Sequence, residues 1–263
     1  LLVHRHAVLR TLYALEQSRA LQAILPMDGV TVPVDECADA EWASRTRQAM
    51  STPFALTNTP PIRALLTCSS SSTDTRLLVT IDHIAADYAS TLLMQTQLYV
   101  ACVSLHKGAA PTLPPPRLQY ADFALWQQYA LGDGPVALEW WRAKLEGAPQ
   151  LLQIPLDWQR SVMHEAIAGT VRVDIECQLA ADVVALCTHE RVSPLCCPLT
   201  VWAALMLHLS GQRDVVLGQP YSVQSDHFEL QDVVGCYTTP IPVRITTPSR
   251  ASSARQMLHD VYG

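Results

Sequence analysis

Arg76-Leu77-Leu78-Val79-Thr80-Ile81-Asp82-His83-Ile84-Ala85-Ala86-Asp87 is the stretch from which the rest of the chain can be read. Its apolar first half has the composition of a β-strand, ends in polar groups, and passes directly into a helix-compatible run from Tyr88 to His106. A strand end that feeds a helix is where a rigid scaffold presents side chains to a cleft. His83 stands at that point, and a neutral imidazole is suited to take and give a proton near pH 7. Asp87, four residues on, is spaced to hold a nearby turn or a cation. Taken alone, a histidine leaving a strand is more often structural than catalytic.

Working outward, Ile62 to Cys68 reads as a partner strand, joined to the first through the hairpin-like turn Ser69 to Asp74. Upstream lie a helical opening from Leu1 to Thr11, β-compatible runs to Ile24 and from Val30 to Val34, and a helix from Ala38 to Met50 that stops before Ser51-Thr52-Pro53. Downstream, the prolines between Lys107 and Arg117 demand an extended connection. Amphipathic helices follow at Ala121 to Leu131 and Pro135 to Leu145. Gly147 to His164 is rich in breakers and reads as a link between lobes, so residues 1–150 are expected as one lobe and 151–263 as part of a second. In that second part the alternation Val171, Val173, Ile175 predicts a strand over Thr170 to Ile175. Helices at Ala180 to Arg191 and Pro198 to Ser210, strands at Val215 to Leu217 and Pro240 to Ile245, and a helix from Ser252 complete an α/β pattern.

Composition narrows the function classes. The chain is 49% hydrophobic and 16% charged, as a folded domain is, and its net charge of −6 offers no basic stripe for phosphates, which argues against nucleic-acid partners. Eight cysteines occur without a CxxC pair. They are expected as reduced core residues of a cytoplasmic protein, and no metal site is expected. Tyr88 to Leu105 comes nearest to a membrane span, but Gln95, Gln97 and its hydroxyls mark it as a buried helix, and no signal peptide is read at the start. Trp126 is expected in the core, with Asp122 capping nearby. Ser90 lacks the Gly-x-Ser-x-Gly setting of a hydrolase nucleophile.

Beyond single residues, His83-Ile84-Ala85-Ala86-Asp87 with Ser90 resembles the His-His-x-x-x-Asp-Gly-x-Ser motif of nonribosomal peptide synthetase condensation domains. Arg5-His6-Ala7-Val8-Leu9-Arg10-Thr11 resembles their Arg-His-x-x-Leu-Arg-Thr segment, and Tyr120-Ala121-Asp122-Phe123-Ala124-Leu125-Trp126 their Tyr-x-Asp-Tyr-Ala-x-Trp segment. Trp141-Arg142 to Pro149, Gly218-Gln219-Pro220, and Val234-Gly235-Cys236-Tyr237 running to Arg244 match later segments in order. The resemblance implies an α/β, chloramphenicol acetyltransferase-like fold of two lobes in a V, here without the family's opening segment and C-terminal portion. It implies amide formation between acyl and aminoacyl thioesters, carried on the phosphopantetheine arms of donor and acceptor carrier proteins. An adenylation domain is the expected neighbour, and no cofactor is bound by the domain itself. In that scheme His83 is catalytic, as general base or as a positioning group, while Asp87 is structural with Arg10 as its salt-bridge partner.

Several positions depart from the family pattern. Asp82 replaces the first motif histidine, and Asp82, Asp87 and Ser90 together also fit the motif of heterocyclisation domains. Tyr88 replaces the motif glycine and Thr239 an asparagine. With Ser90 they are candidate walls of the substrate tunnel, and Tyr88 is bulky enough to obstruct it. Two other readings stay open: a non-catalytic scaffold or carrier-docking module, or another His-x-x-x-Asp acyltransferase, ester-forming or heterocyclising.

Overall fold

A computed structural model describes residues 1–17, 19–67, 75–131, 134–157, 171–247 and 253–262. The chain divides into two compact units, Leu1–Asp133 with Tyr221–Thr239, and Gly134–Pro220 with Pro240–Gly263.

In the first unit, a one-turn helix α1 (Leu2–Arg5) gives way at the extended residue His6 to a 3-10 turn over Ala7–Arg10, so the expected helical opening is interrupted. Strands β1 (Thr11–Glu16) and β2 (Arg19–Ile24) form an antiparallel hairpin in the register Thr11↔Ile24, where the sequence showed only a β-compatible stretch. β3 (Val34–Cys37) lies a few residues later than expected and runs parallel to β4 (Ile62–Thr67), while β4 pairs antiparallel with β5 (Leu77–Ile81). Between β3 and β4 stands α2 (Trp42–Ser51), preceded by a 3-10 turn at Asp39–Glu41. The turn expected over Ser69 to Asp74 falls outside the described residues.

After β5 comes α3 (Tyr88–His106), with the bounds expected from its apolar run. Its buried side chains are Ser90, Met94, Gln97 and Ala101, one stripe at helical spacing, so α3 is half-buried rather than enclosed. No helix among the described residues is long and apolar enough to cross a membrane. α4 (Tyr120–Leu131) begins where Asp122 Oδ2 accepts from the backbone N–H of Gln119 at 2.8 Å, a carboxylate reaching back over an otherwise unsatisfied donor. One core of this unit gathers Val8, Leu9, Ile62, Ala85, Ala86, Met94 and Val234. A second gathers Phe123, Leu230, Val233 and Tyr237. Trp126 is not part of either: it is 47% exposed, lying at the margin of the second core with its ring tilted against Phe123 and edge-on to His227.

The second unit contains α5 (Pro135–Leu145), α6 (Cys177–Glu190), α7 (Cys196–Ser210) and α8 (Ala254–Tyr262), with most of the paired strands β6 (Asp214–Ser222) and β7 (Thr238–Thr246), whose ends at residues 221–222 and 238–239 group with the first unit. α6 and α7 end on left-handed residues, Arg191 and Gly211. Ala203, Met206, Leu207, Val215, Leu217, Ile245 and Met257 form the main core. Arg244 grips Asp214 with two nitrogens and donates to the carbonyls of Lys144 and Glu146. Glu190 is held by Arg255 and then His259, which together lower its carboxyl to about 2.

The units do not part at residue 150 as the sequence suggested. Residues 134–150 group with the second, where the carbonyls at the end of α5 serve Arg244, and residues 221–239 group with the first. The strand expected over Thr170 to Ile175 is also absent: residues 171–176 carry no regular structure and Val171 is 88% exposed. Alternation makes a strand only where a sheet edge is present to receive it. Nor are the cysteines uniformly core residues: among the described residues Cys37 and Cys187 are buried, Cys102 and Cys177 exposed, and all seven are free thiols.

A buried pair stitches the opening segment to α3. His6 is fully buried, and its Nε2 lies 2.7 Å from Gln97 Oε1. Burial disfavours the imidazolium and lowers the pKa of His6 from 6.5, against the pull of the Gln97 bond, with Arg5 adding repulsion. Below 6.5 the unfolded chain takes up a proton that folded His6 refuses, so this contribution to stability is present above 6.5 and lost as the pH falls through that value. Melting temperature should therefore drop between about pH 7.5 and 5.5, with a shallower slope in His6→Gln, as read by thermal denaturation followed by circular dichroism.

Candidate functional site

β5 ends in a tight turn built by Asp82. Its backbone N–H donates to the carbonyl of Pro61 at 2.9 Å, extending the strand contact by one residue. Its carbonyl accepts from Ala85 N at 3.0 Å and its Oδ1 from Ile84 N at 3.0 Å. The side chain thus closes an Asx-type turn, the reason an aspartate is at home where the family has histidine. Ala85 and Ala86, buried on the far side of the turn, plug the core and leave His83 facing outward and exposed.

Asp87 caps α3 from within the protein. It is 2% exposed, and its Oδ1 accepts from Ser90 N at 3.0 Å in standard N-cap geometry. Its other oxygen accepts from Tyr237 N and from Thr238 Oγ1, both at 3.1 Å. The backbone N–H of Asp87 and the hydroxyl of Ser90 both donate to the carbonyl of Gly235, and Ser90 Oγ accepts from Gly235 N at 3.0 Å. Ser90 is fully buried in this exchange, so it joins segments and is no wall of a channel. The ion pair expected between Asp87 and Arg10 is not among those of the described residues: three neutral donors satisfy the carboxylate instead, and Arg10 keeps Nε and Nη1 buried without a hydrogen-bond partner.

Residues 235–238 are therefore pinned beside the turn. A side chain on Gly235 would run into the Tyr120 ring, with Cε2 at 2.7 Å and Cγ at 2.9 Å from the added Cβ. Tyr120 donates its hydroxyl to the carbonyl of Cys236 at 3.0 Å and packs edge-on against Tyr237. Burial raises the Tyr120 phenol, helped by Cys236 and the Asp87 charge. Cys236 Sγ comes within 3.6 Å of His83 Nδ1. Of the remaining expected site residues, Tyr88 opens α3 with 78% of its surface exposed, and Thr239 is exposed on β7. Sequence reasoning missed Cys236, Tyr237 and Thr238 as neighbours of His83 and Asp87. Their separation of about 150 residues leaves no local periodicity to detect, and only the order of the matched segments hinted at it.

The family model described as Condensation domain matches residues 1–262. Phosphinothricin tripeptide synthetase PhsB of Streptomyces viridochromogenes is 32% identical over 263 residues, which covers 95% of this chain and 22% of PhsB. A dimodular nonribosomal peptide synthase of Bacillus subtilis is 30% identical, with 99% and 11% covered. Among solved structures, the X-domain from teicoplanin biosynthesis superposes with a TM-score of 0.87 at 25% identity over 98% of this chain and 58% of that one. The chain thus spans about a fifth of PhsB and a smaller share of the Bacillus enzyme.

Two substitutions test the architecture of the site. Asp87→Ala leaves buried N–H donors of α3 and of residue 237 unmatched and should cost about 3 kcal/mol of unfolding free energy, with Asp87→Asn losing about half as much. Gly235→Ala should cost about 1–3 kcal/mol through overpacking against Tyr120, and Tyr120→Leu in the same chain should recover part of it. Urea denaturation of each variant measures both effects.

Proposed function

The chain belongs to the condensation-domain family, with the chloramphenicol acetyltransferase-like fold of that family, and from that premise we propose that His83 serves amide formation between two thioester-bound substrates. The substrates are an acyl or peptidyl donor and an aminoacyl acceptor, each on the phosphopantetheine arm of a carrier protein. The partners proposed are those carrier domains, with an adenylation domain as neighbour.

In the reaction the acceptor amine attacks the donor thioester carbon. A C–N bond forms, the C–S bond of the tetrahedral intermediate breaks, and the proton lost from nitrogen ends on the departing pantetheine thiol. Amine attack on a thioester is not intrinsically slow, so most of the demand falls on holding the reactants and steadying charge as it develops. His83 is suited to that demand, as a ring that offers one donor and one acceptor near neutrality. The observation that carries the reading is the contrast within the motif. The imidazole is exposed at the end of β5, while Asp87 is buried and wholly occupied with backbone and hydroxyl donors. One motif residue is thus free for chemistry and the other is spent on architecture.

The test uses the full-length protein with donor and acceptor carriers loaded, and dipeptidyl product followed by mass spectrometry. His83→Ala is expected to lower the rate by about 100-fold or more, while Asp82→Asn, which keeps the turn's acceptor oxygen, changes it by less than about 10-fold. Turnover by His83→Ala at the parent rate would remove His83 from the chemistry.

A further inference from the structure

Cys236 meets His83 across 153 residues of sequence, and nothing in the family motif or in local spacing predicts that meeting. The contact is between Sγ and Nδ1 at 3.6 Å, within reach of a sulfur hydrogen bond. Both ends are held. Tyr120 fixes the Cys236 carbonyl, Tyr237 N and Thr238 Oγ1 bind Asp87, and the Asp82 turn fixes the backbone beneath His83.

An imidazole in neutral form carries one proton, and the bond made by one nitrogen decides which nitrogen bears it. At this contact two arrangements compete: S–H donating to a bare Nδ1, or Nδ1–H donating to sulfur. The surroundings favour the first. Burial and the Asp87 charge both raise the thiol's pKa, and a thiol kept protonated has its S–H to give. The hydrogen bonds that Asp87 accepts come from Ser90, Tyr237 and Thr238, and none of them from the ring.

We infer that Cys236 is a positioning residue for His83, its thiol donating to Nδ1 and so placing the ring's single proton on Nε2. The consequence rests on the condensation reading. Resting His83 then presents an N–H rather than a lone pair at the nitrogen away from the protein. That is the form that binds a developing oxyanion or a departing thiolate, and it is the wrong form for removing a proton from the incoming amine.

The tautomer can be read without any turnover. Full-length protein with ring-15N histidine is sedimented for magic-angle-spinning NMR, and the His83 signals are identified by their loss in His83→Gln. In the neutral ring, Nδ1 of His83 should resonate as a pyridine-type nitrogen and Nε2 as a pyrrole-type one. In Cys236→Ala both should shift toward the average of the two tautomers, and Cys236→Ser, which restores a donor, should shift them back. A pyrrole-type Nδ1 in the parent protein, or a spectrum unchanged by Cys236→Ala, would overturn the inference. Alkylation of the parent thiol gives a second measure that needs no Cys236 variant. Peptide-mapped reaction of Cys236 with iodoacetamide near pH 7 should quicken in His83→Ala, because the bond that holds the thiol in its protonated form is gone. An equal rate would count against the pair. Neither readout depends on condensing activity, so each result stands apart from the fate of His83→Ala in the turnover assay.

Discussion

Around the carboxylate of Asp87 two distant parts of the chain become one structure. The group is removed from water, and a buried carboxylate is tolerated only when its lone pairs are met. Its donors come from two places: Ser90 in its own helix, and Tyr237 and Thr238 from a segment about 150 residues later. The same few atoms therefore cap a 19-residue helix and anchor a returning strand. The choice of neutral donors over Arg10 has a physical logic. Backbone N–H groups are fixed in place and carry no side-chain entropy, so they fulfil the electrostatic need without ordering a long cation.

That anchor propagates. With the carbonyl of Gly235 shared between Asp87 N and Ser90 Oγ, the backbone at 235 lies so close to Tyr120 that no side chain fits between them. Tyr120 in turn reaches Cys236, and Cys236 reaches His83. A glycine, a phenol, a thiol and an imidazole are thus placed in succession by one buried charge. His83 itself is not buried and makes few demands on the fold. It is displayed by a turn whose closure depends on Asp82, so the replacement of histidine by aspartate exchanges a ring for an acceptor that the backbone of Ile84 uses.

Much of this was legible beforehand, and unevenly so. Helix α3 could be placed closely, at about Tyr88 to His106, since an apolar run of that length that stops before the prolines after Lys107 admits few alternatives, while the N-cap role of Asp87 came from the structure. The strand before it was equally plain. The alternation at Val171, Val173 and Ile175 misled, because period-two patterning reports a surface that could pair and says nothing of whether a partner exists. Trp126 misled for a related reason: its size argued for burial, but only the rotation of α4 about its axis decides which face meets Leu230 and Val233. The hairpin of β1 and β2 went unseen as a pair for want of a Gly or Asn turn signal at Gln17.

The sequence by itself determined the family, the order of most elements, the position of His83 at the end of a strand and that of Asp87 at the mouth of a helix. These are properties of local composition and of motifs in order, which a chain carries whether or not it is folded. Only the tertiary structure decided what Asp87 binds, that Ser90 is buried between segments, that Arg10 stands apart from the carboxylate, and that a cysteine touches the imidazole. Each of those is a contact between residues far apart in the chain, set by hydrogen-bond satisfaction in a closed space, and no local pattern encodes which distant donor arrives.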